Sequence, residues 1–408
     1  MHHHMDKQKK IMLLGGISYL LPVIEAAHQQ GYYVITADYL PNNIAHHYSD
    51  EYCNVSIVEP TAVLRIAQAK QIDGIISFGV DPGVVSAAYV QEQMGLPSMG
   101  PYESVKILQN KDRFRAFLKE HKFNVPNAKS YHCKSDALQD IDWLRFPVIV
   151  KPTDSAGSKG VSRVDTLAQY ESALDLAFSK SISGNIIVED FIEKRGCSSD
   201  SDSFLKDGQW QFISFNAQRF DTDAINPYTP AAYTWPSTFS ISEENYLKKE
   251  LQRLIDLLHM RTSVFNIETR VSSNGVPYIM ECTPRGGGNR LCEMLHYATG
   301  IDMITAQVRA AVGDSIDDIR QRPYQGHWAE IILHSTQDGF FDRLHIDRSI
   351  QNNIVECNLW VKKGDRISSF KGANDAIGTL VLHFTDELQS EHVINNINQL
   401  FKIVSTSD

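Results

Sequence analysis

The sequence predicts a fold of the α/β and α+β classes, with an N-terminal open parallel-sheet α/β domain, a central mixed domain and a small α+β C-terminal domain. Three observations support this. Apolar strand-like and helical stretches alternate over the first hundred residues, Asn274-Gly275 separates two strand-like runs, and spaced strands follow residue 314. A chain of 408 residues is also too long for one ordinary hydrophobic core.

Composition restricts the function classes. The chain is 42% hydrophobic and 22% charged, as in soluble globular proteins, and its formal net charge of −10 argues against nucleic-acid binding. We expect neither a signal peptide nor a membrane-spanning segment, because no apolar run is long enough to span a membrane. Six cysteines without a C-x-x-C pair favour reduced thiols and a cytoplasmic location. Residues 1–6 resemble an expression tag.

We expect domain boundaries that give an N-terminal domain of residues 7–110, a central domain of 111–312 and a C-terminal domain of 313–408. The first domain begins with a strand, a glycine turn, a helix and a second strand, but it lacks the full G-x-G-x-x-G pattern. A plain α/β domain is therefore favoured over a dinucleotide-binding one. The glycine-and-acid loop 79–83 follows a buried strand and is a weak candidate for substrate contact.

Two lysines introduce the central domain. Lys111 lies within an expected helix, 102–121, and its own context indicates only a surface charge. Lys151 ends the strand-like run 146–151, and a loop of small residues, 152–161, follows it. Such a loop allows backbone N–H groups to approach phosphate oxygens, although it does not match the Walker pattern. A flexible surface loop is an equally good reading.

A strand at 185–188 runs into Glu189-Asp190-Phe191-Ile192. A strand that leaves its edge amide and carbonyl free can bind adenine through its backbone, with Phe191 and Ile192 as apolar walls. The polar stretch 222–240 contains prolines and aromatic residues, and we expect a long, mobile loop there.

The most informative stretch is the hairpin predicted from runs 265–271 and 276–283. A two-residue Asn274-Gly275 loop places Glu268 directly opposite Glu281, with Thr283 on the same face. Two carboxylates and a hydroxyl suit Mg²⁺ or Mn²⁺. The alternatives are glutamates that merely face water, or a one-residue bulge that shifts the register. The opposite face, which includes Cys282, is expected to be core.

The hairpin is followed by Arg285 and three glycines, Gly286, Gly287 and Gly288. A cation beside glycine backbone is suited to holding a phosphoryl or carboxylate group.

Taken in order, these motifs resemble the ATP-grasp superfamily, of the carboxylate–amine ligase type that includes L-amino acid ligases and carbamoyl-phosphate-synthase-like proteins. The resemblance covers about half of the chain and implies a two-lobed central domain that uses ATP with Mg²⁺ or Mn²⁺. The implied ATP-binding residues are Lys111, Lys151, Ser155, Ala156, Gly157, Ser158, Lys159, Gly160, Glu189, Asp190, Phe191 and Ile192. Glu268, Glu281 and Thr283 would bind metal, Arg285 and Lys151 would be catalytic, and the substrate residues would be Arg285, Gly286, Gly287, Gly288 and Asn289.

The sequence departs from the family pattern twice. Thr283 stands where the family commonly has asparagine, which leaves the second metal contact in doubt. Gly196-Cys197-Ser198 stands where a ribose-binding glutamate is often found.

The resemblance implies formation of an amide or peptide bond through an acyl phosphate, from a small carboxylate and an amine. Alternatives are a carbamoyl-phosphate or purine-pathway enzyme with another acceptor, and a nucleotide-binding regulatory module without catalysis. No nucleic-acid or membrane partner is expected, and a homodimer is a further expectation from the relatives.

Overall fold

The computed structural model describes residues 7–155, 158–316 and 319–407. The N-terminal region is built from four parallel strands in the order β3-β2-β1-β4, with helices between them, as predicted. Its elements are β1 (Lys10–Leu14), α1 (Leu21–Gln29), β2 (Tyr33–Asp38), β3 (Glu51–Asn54), α2 (Pro60–Lys70), β4 (Gly74–Ser77) and α3 (Pro82–Met94). The strands are apolar because helices cover the sheet.

The expected helix over 102–121 is two helices, α4 (Tyr102–Gln109) and α5 (Lys111–Glu120). Asn110 adopts an extended conformation (φ −113°, ψ 113°) between them. The break places Lys111 at the first turn of α5, where its N–H donates to the carbonyl of Thr153 (3.2 Å). Lys111 is therefore tied to the loop that follows Lys151.

The first lobe of the central region is an antiparallel sheet, β5-β8-β6-β7, packed on one long helix. Its elements are β5 (Ala128–Tyr131), α6 (Lys134–Gln139), β6 (Val148–Pro152), β7 (Ser162–Val164), α7 (Leu167–Lys180) and β8 (Ile186–Asp190).

The second lobe contains the predicted hairpin in the sheet β10-β9-β13-β14. Its elements are β9 (Ser199–Lys206), β10 (Gln209–Phe212), β11 (Ala217–Phe220), β12 (Pro230–Trp235), α8 (Ile241–Leu258), β13 (Ser263–Val271), β14 (Pro277–Thr283), α9 (Leu291–Thr299) and α10 (Met303–Ala311). The expectation of a mobile loop over 222–240 is wrong for its second half. Strand β12 occupies 230–235, and Tyr233 and Trp235 are buried in the core.

The remaining elements are β15 (His327–Leu333), β16 (Gly339–Ile346), β17 (Ile354–Leu359), β18 (Arg366–Ile367), β19 (Gly378–Phe384), α11 (Glu387–Asn395), α12 (Ile397–Leu400) and β20 (Phe401–Thr406). They form a small sheet, β18-β16-β20, and complete a five-stranded one, β11-β12-β15-β19-β17. The larger sheet crosses the boundary expected at 312/313. The residues after 313 therefore share a sheet with the central region rather than forming a separate layer.

Across the described ranges, the structure contains no helix that is long and apolar enough to cross a membrane.

Candidate active site

The hairpin of β13 and β14 has the predicted pairing at its functional positions. Glu268 lies directly opposite Glu281. The turn differs from the expected two-residue loop: the Ser272 N–H donates to the Val276 carbonyl (2.9 Å), so the turn spans 273–275. Met280 then forms a one-residue bulge in β14, between the pairs Glu268–Glu281 and Thr269–Ile279. The longer turn and the bulge shift the register of the two strands by one residue in opposite directions, so Glu268 and Glu281 remain paired.

The two faces of the hairpin differ as expected. Phe265, Ile267 and Cys282 are buried in the core, and burial raises the pKa of the Cys282 thiol, so a nucleophilic role is disfavoured. Glu268 and Glu281 remain partly exposed, at 29% and 40% of their side chains.

The glutamate pair has the electrostatics of a cation site. Desolvation and the charge of Glu281 raise the pKa of Glu268. Desolvation opposes ionisation of Glu281 too, but Lys111, Lys151 and Arg115 hold its pKa below the ordinary value. The described residues provide no third histidine, cysteine or carboxylate that would complete a metal site here. Oxygen ligands from the two glutamates and Thr283 fit Mg²⁺ or Mn²⁺, whose remaining positions phosphate and water can fill.

Three cations converge on this hairpin. Lys111 Nζ lies 3.2 Å from Glu281 Oε1, and it also donates to the carbonyl of Ser155 (3.2 Å). Lys151 pairs with Glu189 at 2.5 Å, and Arg115 Nε pairs with the other Glu189 oxygen at 2.8 Å. Burial of Glu189 raises its pKa, but Arg115 and Lys151 outweigh this and lower it well below its usual range.

Arg115 is the residue of this cluster that the sequence analysis missed. Its Nη1 donates to the carbonyl of Met280 (2.7 Å), the bulged residue of β14. A single arginine therefore joins the bulge to Glu189 and Lys151. Its spacing of four from Lys111, on the same face of α5, is the signal that could have identified it.

The small-residue loop after Lys151 is described only in part. Ala156 and Gly157 lie outside the described residues. Ser155 donates its hydroxyl to the carbonyl of Lys159 (2.8 Å), which holds the loop closed on itself. Ser158 has a left-handed backbone (φ 59°) and donates to the carbonyl of Tyr228 in the second lobe (3.2 Å).

The expected role of the Glu189 backbone is wrong. Strand β8 lies inside its sheet, where Glu189 pairs with Ala128 of β5 and Ile149 of β6, so neither side of it is a free edge. The Glu189 side chain is instead the buried partner of two cations. Beyond the strand, the Ile192 carbonyl accepts from Arg270 (3.1 Å), and Phe191 packs against the guanidinium of Arg163, 4.4 Å from the ring centroid.

Arg285 connects the second lobe to the N-terminal region. Its Nε and Nη2 lie 2.7 and 2.6 Å from Asp81 Oδ1, in the glycine-and-acid loop that the sequence marked as a weak candidate. Gly79 of the same loop donates to the carbonyl of Gly286 (3.0 Å). A Cβ at Gly286 would come within 2.2 Å of the Phe78 ring, so only glycine allows this approach.

The glycine run is less open than expected. The N–H of Gly287 donates to both oxygens of Asp202 (3.0 Å each), so it is not free for an anion. Asn289 continues the run and accepts from the Tyr19 hydroxyl (2.9 Å) while it donates to Tyr233 (3.1 Å).

The acids of β9 were also missed. Asp200 and Asp202 both hydrogen-bond to Asn266 of β13 (2.8 and 3.1 Å), and burial together with Glu268 raises the pKa of Asp200 to about 7. Their alternation with serine over 199–203 is a period-two signal that could have placed them on one face.

Comparison with known proteins finds a family model that matches part of this arrangement. Residues 144–293, which include Lys151, Glu189, Glu268, Glu281 and Arg285, match the family model of the ATP-grasp domain. The chain contains an ATP-grasp domain. Lys111 precedes the matched stretch.

Relatives and solved structures extend beyond this domain. The chain is 24% identical over 337 residues to the carbamoyl phosphate synthase large chain of Pseudothermotoga lettingae. The aligned stretch covers 78% of this chain but 30% of that protein. The L-amino acid ligase of Bacillus licheniformis superposes with a TM-score of 0.80 at 18% identity, over 98% of this chain and 100% of the other. Phosphoribosylglycinamide synthetase from Anaerococcus prevotii superposes with a TM-score of 0.75 at 19% identity, over 98% of this chain and 100% of the other. The ATP-grasp domain thus lies within a fold that extends over nearly the whole chain.

Proposed function

We propose that this protein is an ATP-dependent carboxylate–amine ligase that releases ADP. A carboxylate oxygen attacks the γ-phosphorus of ATP, the bond to ADP breaks, and an acyl phosphate forms. The nitrogen of an amine then attacks the acyl carbon, phosphate leaves, and the amine loses a proton as the amide forms. The observation that carries the proposal is the clustering of Lys111 and Lys151 around the Glu268–Glu281 pair, with Asp81 acting on Lys111 and binding Arg285.

Each part of the cleft has a role in phosphoryl transfer, which depends on positioning and charge neutralisation. Lys111 and Lys151 would contact the ATP phosphates, and the loop 155–160 would cover them. The linker 190–192 would hold the adenine. Glu268 and Glu281, with Thr283, would hold the divalent cation, which when bound neutralises phosphate charge.

Arg285 would bind the γ-phosphoryl group and the acyl phosphate, with Gly286–Gly288 and Asn289 beside the reacting carboxylate. The arginine is oriented for this task because Asp81 engages its Nε and Nη2 from the neighbouring domain. Such fixed donors stabilise charge that develops in the transition state without reorganisation.

A second candidate is an ATP-grasp enzyme with a different acceptor, which the carbamoyl phosphate synthase relatives favour. The chain spans about 30% of the length of these relatives. A regulatory module without catalysis is disfavoured by the complete set of lysines, glutamates and arginine. A homodimer stays a prediction from the resemblance.

The test is release of ADP and phosphate from MgATP across single amino acids, pairs of amino acids and bicarbonate with an amine. Release that requires a carboxylate and an amine, with a new amide mass, supports the ligase. Release with bicarbonate alone supports the second candidate. ATP binding without release across the whole panel contradicts ligation of amino acids and use of bicarbonate, and leaves a purine-pathway type of acceptor or the regulatory module.

A further inference from the structure

Strand β17 lies at the edge of the five-stranded sheet, and its outer side has no partner strand among the described residues. On its inner side it pairs with β19, and the N–H of Trp360 continues this pairing by donating to the carbonyl of Ile377 (2.8 Å). In an antiparallel sheet, the backbone groups of successive residues point alternately to the two sides of the strand. The backbone groups of Cys357, Leu359 and Val361 therefore point away from the sheet.

The side chains along this edge are exposed, and several are apolar. Leu359 and Trp360 are 36% and 46% exposed, and Cys357 is exposed as well. Edge strands of soluble proteins usually carry charged residues or proline, because free backbone groups beside apolar side chains invite another strand to pair. An edge of this composition is suited to a partner strand.

The open edge has defined ends. A bulge at Val355 interrupts the pairing of β17 with β19 on one side, and a turn begins at Lys363 on the other. Between them lies the stretch 356–362, with the sequence Glu-Cys-Asn-Leu-Trp-Val-Lys. Its two ends, Glu356 and Lys362, carry opposite charges.

This stretch is complementary to itself. If two copies pair antiparallel about a two-fold axis at Leu359, this residue faces Leu359 of the second copy. Cys357 then faces Val361, so apolar side chains meet on one face and outward backbone groups meet each other. On the other face Glu356 lies opposite Lys362. Apolar pairs and opposite charges directly across a strand pair are stabilising.

The surroundings of Glu356 can accept a further cation. Its carboxylate binds Arg290 (2.6 Å) and the hydroxyl of Tyr297 (2.8 Å), and its side chain remains 29% exposed. Arg290 also pairs with Glu293 (2.9 Å), so two carboxylates share one guanidinium. Lys362 is exposed and forms no ion pair in the described part of the chain. Lys362 of a second copy would add the positive charge that Glu356 can still bind.

We propose that β17 is the interface of a homodimer, in which two copies pair antiparallel at Leu359 and join their five-stranded sheets into one continuous sheet. The inference does not depend on the ligase proposal. The contact uses the same edge on both copies, so it closes at two subunits and does not propagate.

The first test measures the mass of the wild-type protein by size-exclusion chromatography with light scattering, across a dilution series. We expect a dimer. Leu359→Lys places two ammonium groups directly opposite each other at the axis, so it should raise the dimer dissociation constant by about 30-fold or more, as disruption of a central interface contact does. The matched control is Leu388→Lys on α11, where the side chain is 73% exposed, and it should remain dimeric.

A monomeric wild-type protein overturns the proposal and leaves this edge to a strand of a different protein. A Leu359→Lys variant that dimerises as strongly as Leu388→Lys overturns it too, because the dimer would then use another surface. Neither result affects the ligase proposal.

A second variant tests the register directly. In an antiparallel hydrogen-bonded pair the opposed Cα atoms lie about 5.5 Å apart, which a disulfide can span. Leu359→Cys in a Cys357→Ser background should therefore form a cross-linked dimer on mild oxidation with copper phenanthroline, seen on a non-reducing gel and reversed by a reductant. Leu388→Cys in the same background is the control. Cross-linking no faster than in this control overturns the pairing at Leu359.

Discussion

At the scale of single residues, ion pairs fix the side chains that are proposed to bind the ATP phosphates. Lys111, Arg115 and Lys151 neutralise Glu189 and Glu281, so the two lysines are held in place before ATP arrives. Burial lowers the pKa of Lys151, whereas the charges of Glu281 and Asp81 outweigh burial and raise the pKa of Lys111. Burial therefore disfavours the charged form of Lys151, whereas the neighbouring Glu189 carboxylate favours it. Lys111 stays protonated because its pKa is raised.

Glu281→Gln tests the metal assignment. The side chain is 40% exposed, so the fold should persist with an unchanged melting temperature. Loss of one cation ligand should lower ADP formation by about 100-fold or more, as removal of a transition-state contact does. Turnover and circular dichroism are compared with those of the surface variant Glu391→Gln. Full activity in Glu281→Gln would remove this residue from the metal site.

Asp81→Asn tests how Arg285 is positioned. The substitution weakens a contact made through Nε and Nη2, so we expect ADP formation to fall by about 10-fold while ATP affinity changes little. Arg285→Ala should lower turnover further, again with little effect on ATP affinity. Asp136→Asn, an exposed aspartate in the first lobe, is the matched control. Equal turnover in Asp81→Asn and the control would show that this contact does not serve catalysis.

At the scale of elements, the hairpin and the break between α4 and α5 bring the site together. The sequence predicted the Glu268–Glu281 pairing because Asn274-Gly275 between two strand-like runs is a strong local signal for a hairpin. It could not predict the Met280 bulge, since the bulge is held by Arg115, more than a hundred residues away. The break at Asn110 was missed for a similar reason, because the apolar pattern continues through it. Strand β12 was missed because its pairing with β15 is non-local.

Arg115→Met tests whether Arg115 stabilises the bulge of β14 and the buried Glu189. It leaves the buried Glu189 with Lys151 alone and the Met280 carbonyl without its donor. We expect the free energy of unfolding in urea to fall by about 3 kcal/mol, the range for breaking a buried ion pair. Arg113→Met, on the exposed side of the same helix, should cost less than about 1 kcal/mol, since its contact with Glu103 spans 3.8 Å. A cost no greater than that of Arg113→Met would contradict the supporting role of Arg115.

At the scale of the whole molecule, the candidate site is assembled from three regions. Loops of the N-terminal region supply Asp81 and Tyr19, the central lobes supply the lysines, glutamates and Arg285, and the five-stranded sheet supplies Tyr233. The sequence could name the residues proposed to bind phosphate and metal because they follow one another in the order of motifs that resembles the ATP-grasp superfamily. It did not identify Tyr19 and Tyr233, which contact Asn289, since each comes from a separate element and neither lies in a motif of its own.

The most direct test of the central claim follows one oxygen atom. The carboxylate substrate found in the ADP-release panel is labelled with ¹⁸O in its carboxyl group, and the released phosphate is analysed by mass spectrometry. Activation as an acyl phosphate predicts one ¹⁸O atom in each phosphate molecule, because the carboxylate oxygen that attacks ATP leaves with the phosphoryl group. Unlabelled phosphate, formed together with the amide, would contradict this account.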